Sequence, residues 1–180
     1  GSVVAVLGLF IKVILVIFVI HILLLLIQFS AAGAIAKKNP IKALITMLPA
    51  YMTALGTQSS AATIPVTLAQ AKKNGVSDGV AEFSIPLCAT IHLSGSTLKI
   101  VACAYAISYM LNLPLDLGLY SGFILMLGIT MVAAPGVPGG AIMAALGVLS
   151  SILGFDENML GLMIALYIAM DSFGTACNVT

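Results

Sequence analysis

Residues 120–153 would read as one membrane helix were they not interrupted by Ala133-Ala134-Pro135-Gly136-Val137-Pro138-Gly139-Gly140. Proline removes a backbone donor and clashes with the preceding turn, and glycine adds an entropic cost, so a continuous helix does not run through this stretch. The flanks, 122–132 and 141–153, are apolar, yet each is only about half the ~20 residues a helix needs to cross a bilayer. The economical reading is a helical hairpin that enters the membrane, breaks at its tip and leaves on the same side. Irregular backbone at that depth is tolerated only where protein buries it or where it lines a watery cavity. A broken hairpin therefore marks a site.

Composition supplies the bilayer. The chain is 61% hydrophobic and 7% charged, with a mean hydropathy of +1.20. So few charges cannot keep a soluble domain of this size wet, and long apolar runs are not the short alternating strands of a membrane barrel. The reading is an all-α polytopic membrane protein with the lipid bilayer around it. A net charge of +1 leaves no footprint for nucleic acid. Every basic residue is a lysine, so no guanidinium fork is available to clamp a carboxylate. Cys88, Cys103 and Cys177 lie in apolar segments without metal-ligand spacing and are expected to be small buried side chains. No cofactor is expected beyond a sodium ion.

Residues 3–29 form a run long enough to span, carrying Lys12 and His21. At ~100° per residue the two face opposite sides, as a snorkelling lysine and a histidine satisfied inside a bundle. Residues 40–73 read as a first re-entrant hairpin, with Pro49 in one arm, a polar tip from Gly56 to Pro65, and lysines flanking both ends. Residues 78–113 are a spanning helix broken at 90–97, with Lys99 a turn further on. Residues 115–153 are the second hairpin, and 158–180 the start of a last spanning helix that turns polar at Asp171. Lys37, Lys38, Lys42, Lys72 and Lys73 fall on one side, which the positive-inside rule makes cytoplasmic in a multi-pass protein of the cell membrane. Asp116, Asp156 and Glu157 fall on the other.

Hairpin followed by broken helix occurs twice, entering from opposite sides. Paired Gly/Pro-interrupted segments in two halves point to an inverted-repeat transporter core with two re-entrant helical hairpins, its site where the tips meet. Asp171 is an intramembrane carboxylate, a functional group by default, with a structural pair to Lys99 as the alternative. Thr175 and Asn178, at offsets of four and seven, share its helix face.

Four motifs carry a resemblance to the dicarboxylate/amino acid:cation symporters, the glutamate transporter family. Gln58-Ser59-Ser60-Ala61-Ala62-Thr63-Ile64-Pro65 resembles the serine-rich tip of that family's first hairpin. Ala89-Thr90-Ile91-His92-Leu93-Ser94-Gly95-Ser96 resembles the Asn-Met-Asp-Gly-Thr break of its seventh helix. Gly136-Val137-Pro138-Gly139-Gly140 resembles the second tip, and Asp171 through Asn178-Val179-Thr180 the start of the substrate-binding eighth helix. The resemblance implies a transport-domain fragment reaching from helix six into helix eight. It further implies a homotrimer formed through scaffold helices outside this chain.

In family terms Asp171 holds a substrate ammonium and the Asn178 amide holds its α-carboxylate. Thr175 shares their face, and backbone N–H and C=O groups of the tips, at Ser59, Ser60, Val137, Pro138 and Gly139, close around the substrate. Carbonyls near Cys88, His92 and Asn178, with the Ser94 and Ser96 hydroxyls, supply hard oxygens for sodium. Three departures alter this chemistry. Gly174 stands where acidic-substrate members carry an arginine, Ser94 where helix seven has a cation-binding aspartate, and His92 where it has an asparagine. Sodium coupling stays open beside a proton carried by His92.

With no arginine, the expected cargo is a neutral amino acid, with an acidic amino acid or dicarboxylate as the alternative if Lys99 supplies the charge. From other classes, a structural membrane subunit has no need of two broken hairpins. An intramembrane serine hydrolase could be built from His92-Leu93-Ser94-Gly95 with His21 as base. That motif begins on a histidine in place of glycine, and it leaves the hairpins unexplained.

Overall fold

The computed structural model describes the backbone of residues 3–180 and side chains from residue 10 onward. The described residues form nine helices and no strands. The first, α1 (Val3–Ala36), outruns the expected span at its C-terminal end. Alanine-rich residues 31–36 carry the helix on, and it stops where Lys37 takes φ +53 and the Lys38 N–H returns to the Gly33 carbonyl at 2.9 Å. That is a Schellman closure. A Cβ at position 33 would stand 2.8 Å from the Lys38 carbonyl oxygen, so glycine is what lets the chain turn back there.

The first hairpin is α2 (Pro40–Thr57) and α3 (Ser60–Lys73), packed against each other. Asn39 caps α2 by accepting from the Lys42 N–H, and proline at the first helical position adds no lost bond. The sequence suggested a long polar tip, but only Gln58 and Ser59 are non-helical. Gln58 takes the left-handed conformation (φ 52) and Ser59 caps α3 by accepting from Ala62. A good cap thus converts residues 60–65 from expected loop into helix, Pro65 included.

The broken helix follows as α4 (Asp78–Ile91) and α5 (Ser94–Met110), interrupted only at His92 and Leu93. Lys72 ties α3 to α4 through Asp78 (3.1 Å) and Glu82 (2.7 Å). The second half repeats the order. α6 (Leu117–Met131) and α7 (Gly140–Leu153) pack as a hairpin around the Pro-Gly tip, followed by α8 (Glu157–Ala169) and α9 (Asp171–Val179). The last pair is bent by 61° at Met170.

Phe10–Ala36 and Asp78–Met110, at 27 and 33 residues, are long and apolar enough to cross a membrane, and the bent pair makes a third such stretch. One apolar core joins Ile17, Ile100, Phe123, Ile142, Leu149 and Met163. Outward, Phe83, Leu125 and Ile129 are exposed, as expected of side chains that face lipid. The short helix α9 sits at the centre, touching α1, α2, α3, α4 and α5. A Cβ on Gly95 would lie 2.6 Å from the Cys177 Cβ and 2.8 Å from the Gly174 carbonyl oxygen, so α5 and α9 approach backbone to backbone.

Candidate functional site

The two hairpin tips touch. The Gly136 carbonyl accepts from the Ser59 hydroxyl (2.8 Å) and from the Ala61 N–H (3.2 Å). A side chain at 136 is excluded, because its Cβ would fall 2.6 Å from the Ala89 carbonyl oxygen of α4. Gly139 takes φ +72, a left-handed conformation that glycine adopts without penalty, and so aims its N–H at Asp171. Asp171 is buried at the N-terminal end of α9. One of its carboxylate oxygens accepts from Gly139 at 2.7 Å, and the other faces the Lys99 ammonium at 3.4 Å.

Tips, breaks and α9 therefore converge on one cleft. Its walls include Ser60, Ser96, Val137, Asp171, Thr175 and Asn178, so most of the substrate residues expected from sequence do meet. The enclosed space is about 10 Å³, about the minimum for a single water. The tips are shut on each other. Pro138 is exposed at the tip, and Val137 is exposed as well as bordering the cleft, whereas Ser59 is committed to bridging the hairpins. Thr175 points its hydroxyl at the Gln58 carbonyl across 3.5 Å.

The residues expected around sodium form a second cluster at the α4–α5 break. The Asn178 side chain accepts from the Ser96 N–H (3.1 Å) and donates to the Ser96 hydroxyl (2.8 Å). Its amide thus pins α9 to α5, leaving one amide hydrogen for anything else. The Asn178 backbone carbonyl accepts from His92 Nδ1 at 2.8 Å, so Nδ1 is a donor there. Gln28 of α1 reaches Ser94 Oγ at 3.2 Å and His92 Nε2 at 3.4 Å. The Cys88 carbonyl takes the His92 N–H at 2.9 Å. Cys88, His92 and Asn178 also border a cavity of about 290 Å³, beside Thr67 and Thr180.

Gln28 was not singled out from sequence. It lies two turns after His21, continuing the buried face marked by Ile17, His21 and Leu25, and that polar periodicity was the available signal. His21 donates from Nε2 to the Gly95 carbonyl at 2.9 Å, not to Ser94, so it is no base for that hydroxyl. Its Nδ1 is buried without a partner. Lys12 is exposed, on the opposite face, as the spacing predicts. It borders a larger, mostly apolar groove of about 920 Å³ lined by Val13, Tyr105 and Met131, which also reaches His92, Ser94 and Thr97.

Lys99 is the residue whose place the sequence understated. It is fully buried, with its ammonium over the Tyr167 ring and within reach of the Tyr167 and Met170 carbonyls at 3.3 and 3.2 Å. A Cβ on Gly174 would stand 3.0 Å from that ammonium. The absent arginine and the present lysine thus occupy adjoining space.

A model of the sodium:dicarboxylate symporter family matches residues 1–180. Excitatory amino acid transporter 5 of Mus musculus is 33% identical over 146 residues, covering 81% of this chain and 26% of its own length. Excitatory amino acid transporter 2 of Homo sapiens is 31% identical over 176 residues, covering 96% of this chain and 30% of its own. The chain thus spans between about a quarter and a third of the length of the relatives it matches. With the family model covering its whole length, the chain belongs to the sodium:dicarboxylate symporter family.

Proposed function

We propose that the chain is the transport domain of a secondary symporter that moves an amino acid together with sodium by alternating access. The observation that carries this reading is Asp171, a buried carboxylate at a helix break that also receives a hairpin-tip N–H. Such a group is costly at membrane depth and suited to an ammonium ligand. The substrate ammonium takes the Asp171 oxygen that now accepts from Gly139, and the tip withdraws to admit it. Hydroxyls of Ser60 and Thr175, with backbone N–H groups at the tips, hold the α-carboxylate. Sodium, carried as cargo, draws on carbonyl and hydroxyl oxygens around Cys88, His92, Ser94, Ser96 and Asn178.

On this reading 40–73 and 115–153 are re-entrant hairpins, and the end holding Lys37, Lys38, Lys42, Lys72 and Lys73 faces the cytoplasm. Lys38 donates to the Asn74 carbonyl, which supports one end for both lysine loops. Assembly as a homotrimer, through scaffold helices outside this chain, belongs to the same reading. The relatives' names speak of excitatory amino acids and the family's of dicarboxylates. An acidic cargo fits those names better than the neutral one expected from the absent arginine.

The test is uptake by the full-length protein. Asp171→Asn is expected to abolish sodium-driven amino-acid uptake while leaving expression intact. Undiminished uptake would overturn the assignment.

A further inference from the structure

We infer that Lys99 is the receptor for a second carboxylate, which makes it the residue that selects an acidic amino acid. The inference rests on the reading of Asp171 given above. The lysine stem runs from α5 into the α8–α9 break, and its ammonium meets three acceptors there: the Tyr167 carbonyl at 3.3 Å, the Met170 carbonyl at 3.2 Å and Asp171 at 3.4 Å. Each is longer than the ~2.7–2.9 Å of a good charge-assisted bond. The ammonium is surrounded but held by no short bond. Gly174 supplies the room, because any side chain there would begin 3.0 Å from the Lys99 nitrogen.

The placement of each charge decides the cargo. Asp171 lines the shut cleft, and the buried Lys99 ammonium faces its carboxylate at 3.4 Å. With its α-carboxylate held at the tips, a neutral amino acid sets its ammonium against Lys99 for Asp171 and brings no further anion to Lys99. An acidic amino acid brings a second carboxylate that is free to pair with Lys99. Its ammonium takes Asp171, its side-chain carboxylate takes Lys99, and its α-carboxylate goes to the tips. A dicarboxylate without an ammonium sets two anions beside Asp171 with only Lys99 between them. The preferred order is therefore acidic amino acid, then neutral amino acid or dicarboxylate.

The experiment measures uptake of labelled L-aspartate and labelled L-serine by the full-length protein in proteoliposomes, each competed by unlabelled L-aspartate, L-serine and succinate. Wild type is expected to favour aspartate over both by about tenfold or more. Lys99→Met is expected to move the aspartate-to-serine ratio toward serine by on the order of tenfold to a hundredfold, the worth of one bond to a charged group, and Lys99→Arg to preserve it. Lys99→Met leaves Asp171 without its partner and can fail to fold, in which case the wild-type ratio and Lys99→Arg decide. A wild type that prefers serine or succinate overturns the inference, as does a transporting Lys99→Met variant with an unchanged ratio. Uptake of aspartate that survives Asp171→Asn overturns the underlying reading instead.

Discussion

At the scale of single residues, Gly174 and Lys99 share one place. The sequence invites the thought that Gly174→Arg would restore a carboxylate clamp. The geometry argues otherwise, since the arginine stem would start 3.0 Å from a buried ammonium. Two cations would then compete for Asp171 in a buried site. We expect Gly174→Arg alone to lower the yield of folded protein and Gly174→Arg with Lys99→Met to recover it, as read by size-exclusion profile and melting temperature. Equal yields would mean that Lys99 does not stand where described. Asn178 carries a second expectation. Its amide holds both the Ser96 N–H and the Ser96 hydroxyl, all of them buried, so Asn178→Ala strands two polar groups. The cost is about 1–3 kcal/mol for each group left unpaired, seen as a lower melting temperature of the full-length protein. An unchanged melting temperature would show that the bridge between α5 and α9 contributes nothing.

At the scale of elements, the second tip uses two of its glycines for different reasons. Gly136 is sterically confined, with a would-be Cβ 2.6 Å from the Ala89 carbonyl oxygen, whereas Gly139 has open space but a left-handed φ of +72. Gly136→Ala should therefore separate the hairpins and abolish uptake, because a backbone oxygen of α4 cannot step aside. Gly139→Asn should be mild, since asparagine tolerates that region, and Gly139→Val severe, since a β-branched residue does not. Substrate dissociation rates for the two Gly139 variants check this, and equal rates would remove the conformational argument. The second hairpin was legible in the sequence because Pro135, Pro138 and three glycines cannot continue a helix. The first tip was overdrawn, because small polar residues after a serine cap look like loop and fold as helix. The seven added residues of α1 were missed for a related reason. Alanine marks no boundary, and a Schellman closure by lysine has no glycine at its usual position to announce it.

At the scale of the whole molecule, hairpin and broken helix recur in order, and both breaks deliver polar groups to α9. The order of elements and the convergence on Asp171, Thr175 and Asn178 were readable from interrupted apolar runs and from helical offsets. The Lys99–Asp171 pair was also named from sequence, but the Tyr167 and Met170 carbonyls on Lys99 and the partners of Gln28 and Asn178 were not. Each bond joins residues more than sixty positions apart, and only packing sets such pairs. With sodium as cargo, uptake by the full-length protein should collapse when choline replaces sodium and persist when the proton gradient is dissipated. The opposite result would move coupling from the oxygen cluster to His92. One further consequence concerns time. Because Gly139 closes the cleft on Asp171, a ligand meets a competent molecule only during an opening. The measured dissociation constant then exceeds the intrinsic one by the inverse of the open fraction, about a hundredfold if one molecule in about a hundred stands open. In rapid mixing, the observed association rate should level off as ligand concentration rises, at the frequency of tip opening. A rate that climbs in strict proportion throughout would mean that the tip does not govern entry.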